Sequence, residues 1–355
     1  MNKYLNKYLR SSILLLMFCT SLTACASAGE EYLFDAAAKQ QAGETPVKET
    51  STQTLILTTS ALEGSTAHRT AVKFKSYVEE EFGDRFEVAI YPNDTLGKLD
   101  NAVSSLQSGA VDIRVGVPNT KVGGAVLWAH SLTDVSLERL NELLQGGELR
   151  TLLEEGCQDN GSILLSVFPA HYRVMTSKEK VQEPADFSRV IMRTISGTGA
   201  EAAYWQSLGV YIHSMDLRQV NNALQMGIVN SQENPLSITV SYGIEKNQNY
   251  VIDARHKIYF DSLQVSETFW DSLKEEDQKR FIEIAQKTEE YAERVENEEE
   301  SLDRDILTQQ GLEWVELPDE TRRWMRETGG AAAEQSLRAS NGDEWMDNLL
   351  AILNS

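Results

Sequence analysis

Two arginines and one short polar run hold the chemistry this chain offers. Arg193 ends the apolar run Val190-Ile191-Met192-Arg193, Arg173 precedes it by 20 residues, and Gln232-Glu233-Asn234-Pro235 follows. A guanidinium presents a planar fork that matches a carboxylate with two parallel hydrogen bonds. At the carboxyl end of a strand in an α/β lobe, it faces the crevice where such sheets bind ligands. The same spacing suits an arginine paired with a neighbouring Asp or Glu. The residues by themselves leave a ligand clamp and an internal ion pair both open.

Other chemistries have less to stand on. HExxH, GxSxG, GxxxxGK[ST] and CxxC are absent from the sequence. The five histidines, His68, His130, His171, His213 and His256, include no pair at i,i+3 or i,i+4, so a helical zinc pair is missing. Gly197-Thr198-Gly199-Ala200-Glu201-Ala202, with Asp216 beyond it, outlines a dinucleotide fingerprint. Arg193 breaks the apolar run such a strand needs, and a plain turn and helix start account for the glycines. No cofactor and no metal are expected.

These side chains need elements to position them. Residues 54–58, 86–90, 111–115 and 163–167 read as strands, and 172–175, 190–195, 210–212 and 258–263 as further ones. Helical spacing lies between them: Ala67, Ala71, Phe74, Val78 and Phe82 stopped by Gly83, then residues 101–107, 138–153, 199–208 and a run capped by Asp216 that reaches 225. Ser272-x-x-Glu275 reads as a capping box opening a long helix that ends near Gly311. The final stretch is helical in pattern, with Trp314, Trp324 and Trp345 expected to pack against a lobe. Such alternation argues an α/β protein with mostly parallel sheets flanked by helices, and 355 residues suffice for two lobes.

Composition narrows the partners. With 33 Lys+Arg against 54 Asp+Glu, the formal charge is −21, and 41% of residues are hydrophobic. Duplex binding needs a basic face to neutralise phosphates, so an acidic balance this strong argues against nucleic acid as a partner, and an anionic lipid surface is disfavoured. Lys3, Lys7 and Arg10 precede the apolar run at 13–18, which is too short to span a bilayer. Residues 1–24 read as a secretory signal. Leu22-Thr23-Ala24-Cys25 resembles a bacterial lipobox, which implies lipid on Cys25. Residues 25–53 read as a flexible tether. Cys19 leaves with the signal, so Cys157 stands alone as a packing residue and no internal disulfide is expected.

Residues 91–115, YPNDTLGKLDNAVSSLQSGAVDIRV, and residues 172–236, with YRVMTS, RVIMRT and ALQMGIVNSQENPL, carry a family likeness. They resemble the DctP-like solute receptors of TRAP transporters. The resemblance implies a two-lobed, periplasmic-binding-protein-like fold with a long hinge-spanning helix. Residues 54–170 and 260–299 would form the first lobe, and 171–259 and 300–355 the second. It implies a receptor rather than an enzyme. Such a receptor is exported and held by its lipid at the outer face of the cytoplasmic membrane or in the periplasm. It hands a small carboxylate ligand to TRAP membrane permease subunits driven by an ion gradient.

By the same resemblance, Arg193 matches the substrate-carboxylate clamp, Arg173 an upstream helper and Asn234 a further hydrogen-bonding partner. Leu217 matches a pocket-lining position. The loop at 60–66, beginning with Ser60, and the loop near Asn119 are expected to add contacts from the opposite lobe. Gln219, Asn221 and Asn230 have amides suited to hydroxyl groups, which favours a sugar acid over a C4-dicarboxylate. The family's Val-Asp-Gly before QENP is Val229-Asn230-Ser231 here. An extracytoplasmic ligand-sensing module is the alternative reading, and behind it a secreted enzyme acting on a carboxylated sugar.

Overall fold

Leu55 and Leu57 alternate along the first strand and are fully buried, as a pleat with one face on a core requires. The computed structural model that contains them describes residues 52–97, 99–195 and 197–355. The expected signal (1–24), Cys25 and the tether as far as residue 51 lie outside the described residues.

The chain lays down β1 (Gln53–Thr59), β2 (Phe86–Tyr91), β3 (Ile113–Gly116) and β4 (Ser162–Val167), then passes through β5 (His171–Tyr172). It continues as β6 (Val174–Ser177), β7 (Ile191–Thr194), β8 (Tyr211–Ser214), β9 (Ser231–Asn234) and β10 (Tyr250–Asp253). It returns through β11 (Ile258–Tyr259) to β12 (Ser262–Ser266), and the 35-residue helix Glu275–Gln309 carries it across again to β13 (Glu313–Glu316).

Among the described residues two large sheets result, one in each lobe, with a two-stranded one at the crossing. The first has strand order β2-β1-β3-β12-β4, the second β13-β10-β6-β9-β7-β8. Both contain the parallel pairs that strand–helix alternation predicts: β1 with β2 and β3, and β7 with β8 and β9. Each also takes in a strand running the other way, β12 in the first sheet and β6 in the second. Those two strands enter their sheets straight from the crossings, so their direction is set by the return path and not by a βαβ turn. The crossing strands β5 and β11 pair antiparallel, His171 opposite Tyr259.

The core of the first sheet is aromatic. Phe82, Phe86, Phe269 and Phe281 meet edge-on or stacked, with ring centroids 4.9–6.1 Å apart. Phe74, Val78 and Phe82 reach it from the helix Thr66–Phe82, whose N-terminus Ser65 caps by accepting from the His68 amide. Met175, Phe187, Met192, Tyr204 and Trp205 fill the core of the second.

Three local expectations change. Ser272 does not cap the long helix; it ends the helix Glu267–Ser272, and its hydroxyl donates to the Phe269 carbonyl. The long helix starts at Glu275, with Glu275, Glu276 and Asp277 favourably placed against its dipole. The helical run at 138–153 is two helices, Leu137–Gln145 and Gly147–Asp159, broken where Gly147 adopts φ +76°. The division of the chain's end also changes. Residues 300–355 were expected in the second lobe, yet Met346, Leu349, Ile352 and Leu353 of the last helix, Asp343–Leu353, pack with Leu140, Leu144, Leu149 and Cys157. Its apolar stripe fits the groove of that helix pair, which belongs to the first half of the chain.

Candidate functional site

Between the sheets lies a cleft of about 1040 Å³. Thr58, Thr59 and Arg114 line it from the first sheet, Arg173, Arg193 and Asn234 from the second, and Tyr259 and Asp261 from the crossing. Parallel pairing of β7 with β9 sets Arg193 opposite Gln232, and antiparallel pairing of β6 with β9 sets Val174 opposite Asn234. The carboxyl ends of β7 and β9 and the start of β6 therefore meet at one edge. Residues 39 and 60 positions apart in sequence become neighbours there.

Arg193 is 3% exposed. Its Nε donates to the Met215 carbonyl at 3.0 Å, and among the described residues its Nη groups have no hydrogen-bonding partner. Burial pulls its pKa down, which the charges of Glu201 and Glu233 oppose. Arg173 has a different setting. Its Nε and Nη2 grip the Glu233 carboxylate, and Nη2 also donates to Asn234 Oδ1 at 2.9 Å. Burial works to raise the Glu233 carboxyl, but Arg173, then Lys257 and His256, hold it well below the usual range. Of the two options open for these arginines, the internal ion pair is the state of Arg173.

Asn234 closes its own circuit, donating from Nδ2 to Gln232 Oε1, whose Nε2 donates to Thr176 at 2.8 Å. Ser60 is exposed and Leu217 half-buried, and both line the cleft. Asn119 does not. It is exposed beside a separate cavity of about 10 Å³, and its carbonyl accepts from Asn160 at 3.0 Å. The loop after β3 turns its side chain away from the interlobe gap.

The amides offered for hydroxyl recognition are also engaged elsewhere. Gln219 Oε1 accepts from the Asp216 amide in a capping box, Asn221 bonds the Tyr242 carbonyl, and Asn230 bridges Ile191 and Arg189. Hydroxyl-bearing lining comes instead from Thr58, Thr59, Thr66, Ser214 and Ser237. Sequence reasoning also missed Arg114. A charged residue inside the apolar run Ile113-Arg114-Val115 was the available signal.

The long helix forms one wall with Glu296, Glu299, Glu300 and Asp303. His171 on β5 contacts the Glu296 carboxylate, and its Nδ1 lies 3.6 Å from Glu300. Burial opposes its charge, yet those two carboxylates push it up to about 10. Burial, then the charge of Glu299, pushes Asp303 up to about 7. Among the described residues no cluster of three or more His, Cys, Asp or Glu is set to hold a metal ion.

The model of bacterial extracellular solute-binding protein family 7, DctP, matches residues 57–338. The chain belongs to this family. As a DctP-family protein it is a solute receptor of the TRAP-transporter class, which works outside the cytoplasm with a membrane permease. It is similar to a solute-binding protein of Roseobacter denitrificans, 28% identical over 260 residues, or 72% of this chain and 79% of the relative. It is also similar to the C4-dicarboxylate-binding periplasmic protein DctP of Rhodobacter capsulatus, 26% identical over 57% of this chain and 62% of that one.

Among solved structures, a TRAP periplasmic solute-binding protein of Roseobacter denitrificans with bound L-galactonate aligns with TM-score 0.70 and 26% identity, covering 85% of this chain and 98% of that one. One from Haemophilus influenzae with bound L-gulonate aligns with TM-score 0.76, 21% identity and the same coverage, and shares the two-lobed fold.

Proposed function

We propose that this DctP-family receptor binds a small hydroxylated carboxylate, a sugar acid ahead of a C4-dicarboxylate, through Arg193. One observation carries the reading: a buried guanidinium lines the interlobe cleft with its Nη groups unpartnered among the described residues. The L-galactonate and L-gulonate held by the Roseobacter and Haemophilus relatives support the ligand class. Asn234, Ser60 and Leu217 line the same cleft and are proposed as further contacts. The ligand enters the open cleft, meets Arg193, and is enclosed as the lobes bend about β5, β11 and the long helix.

A net charge of −21 repels anions at long range. At physiological salt the Debye length is about 8 Å, so the overall field is largely screened. Within the cleft, losing one partner of a desolvated Arg–carboxylate contact costs about 2–5 kcal/mol, which outweighs it. Calorimetry with L-galactonate and L-gulonate tests the reading. Arg193→Gln weakens binding more than tenfold, and an Arg193→Gln protein that binds as the wild type does would sink the clamp.

The finer localisation is part of the same proposal: Cys25 carries a lipid that holds the receptor at the membrane. The basic start, the apolar run at 13–18 and Leu22-Thr23-Ala24-Cys25 support it. Cys25→Ser should move the receptor from the membrane fraction to the soluble fraction. An unchanged distribution would refute the anchor.

A further inference from the structure

We propose that the ligand carries a second anionic group, received by Arg114: a hydroxylated dicarboxylate, one end on Arg193 and the other on Arg114. The inference rests on the reading of Arg193 as a carboxylate clamp and adds the ligand's other end to it.

Among the described residues six guanidiniums line the cleft, and their partners divide them. Arg173 is paired with Glu233, Arg218 with Asp216 at 3.0 Å, Arg255 with Asp253 at 3.1 Å and Arg304 with Glu300 at 3.2 Å. Among the described residues, Arg114 and Arg193 have no carboxylate oxygen within 4.0 Å. These two are also among the most deeply buried of the six, at 5% and 3% exposure. They stand on opposite lobes, Arg114 on β3 and Arg193 on β7.

Arg114 belongs to a strand with every residue buried, between β1 and β12. Its Nη1 donates to the Val117 carbonyl at 2.9 Å. The acid whose charge acts on it most strongly is Asp261, which accepts from the Tyr259 hydroxyl at 2.8 Å and is itself pushed by burial up to about 6. Burial lowers the pKa of Arg114 as it does that of Arg193.

A buried charge without a counter-ion is strongly unfavourable, and closure of the lobes removes more of its water. A monocarboxylate neutralises one of the two guanidiniums and leaves the other enclosed and bare. A dicarboxylate neutralises both, one from each lobe, so the closed state gains contacts that the open state lacks. The ligand's body meets hydroxyls. Thr58 and Thr59 line the same wall as Arg114, and the Thr66 Oγ1, on a residue 5% exposed, has no hydrogen-bonding partner among the described residues. That lining suits a hydroxylated chain better than a plain hydrocarbon one.

The test uses purified receptor and three matched pairs: threonate and tartrate, xylonate and xylarate, galactonate and galactarate. Within a pair the chains differ only by oxidation of the far terminal carbon. Titration calorimetry should find at least one pair in which the diacid binds ten or more times tighter. Arg114→Gln should weaken that diacid at least tenfold more than its monoacid partner, and Arg114→Lys should keep part of the preference. The inference fails if no pair shows the tenfold preference, including the case in which no diacid binds, or if Arg114→Gln weakens both members alike. Monoacid binding that disappears in Arg193→Gln, with no diacid preference, would sink this inference and leave the clamp standing. Binding indifferent to Arg193 would sink both.

Discussion

Arg173, just before β6, and Glu233 on β9 form a two-pronged ion pair, with side chains 4% and 1% exposed. Removing one partner leaves the other buried and uncompensated. Glu233→Gln, or Arg173→Met, should cost roughly 3–5 kcal/mol of stability, and the double variant should recover part of it. Urea unfolding measures this, and a single change costing under about 1 kcal/mol would contradict the pairing. The pH sign follows from Glu233. Its folded pKa lies well below the ordinary 4.5, so its contribution is present above that value and is lost as pH falls through the lowered one.

His171 ties the crossing strand β5 to the long helix through Glu296 and Glu300. With a folded pKa raised from 6.5 to about 10, its contribution is full below pH about 6.5 and fades as pH rises toward 10. An NMR titration should find the ring still protonated at pH 8. Between pH 7 and 10 the wild type should lose more stability than His171→Gln. A ring that titrates near 6.5 would break this account.

Asp303 is 3% exposed, and its Oδ2 has no hydrogen-bonding partner among the described residues. For an acid raised from 3.8 to about 7, the folded state holds the proton while the unfolded chain has released it. Stability therefore falls as pH climbs from about 4 to about 7 and then levels off. Asp303→Asn removes that penalty. Its thermal stability should exceed the wild type at pH 8, by on the order of 2–4 kcal/mol, and match it near pH 4. A variant that is less stable at pH 8 would show that the carboxylate has a partner.

Cys157 is fully buried under the last helix, and burial pushes its thiol up to about 11. Thiolate is the reactive form, so a maleimide at pH 8 should label it only after unfolding. Labelling followed at Cys157 by mass spectrometry checks this, and rapid modification of the native protein would contradict the packing role.

Much of the architecture was legible because it is local. Alternating Leu55 and Leu57, and Phe74, Val78 and Phe82 at helical spacing, announce buried faces within a few residues of themselves. Arg193 was legible as a cleft residue only in part: its place at the end of an apolar strand left a clamp and an ion pair both open, and the likeness of its motif to the family's favoured the clamp. What failed locally were boundaries. Ser272 met the pattern of a capping box but belongs to the preceding helix, since a pattern says nothing of which helix a hydroxyl will serve.

The amino-acid order by itself determined most of the strand–helix alternation, the long helix, the family and the arginine that faces the cleft, because propensity, periodicity and a contiguous motif are properties of neighbouring residues; β9, β10 and β13 were not legible in it. The tertiary structure alone decided which arginines keep an open valence. Glu233 claims Arg173 from 60 residues away, Asn119 is turned out by its loop, and Arg114 arrives from the other lobe. Counter-charge and burial depend on distance through space, and a chain that crosses repeatedly between lobes brings together residues whose separation along the sequence carries no record of it.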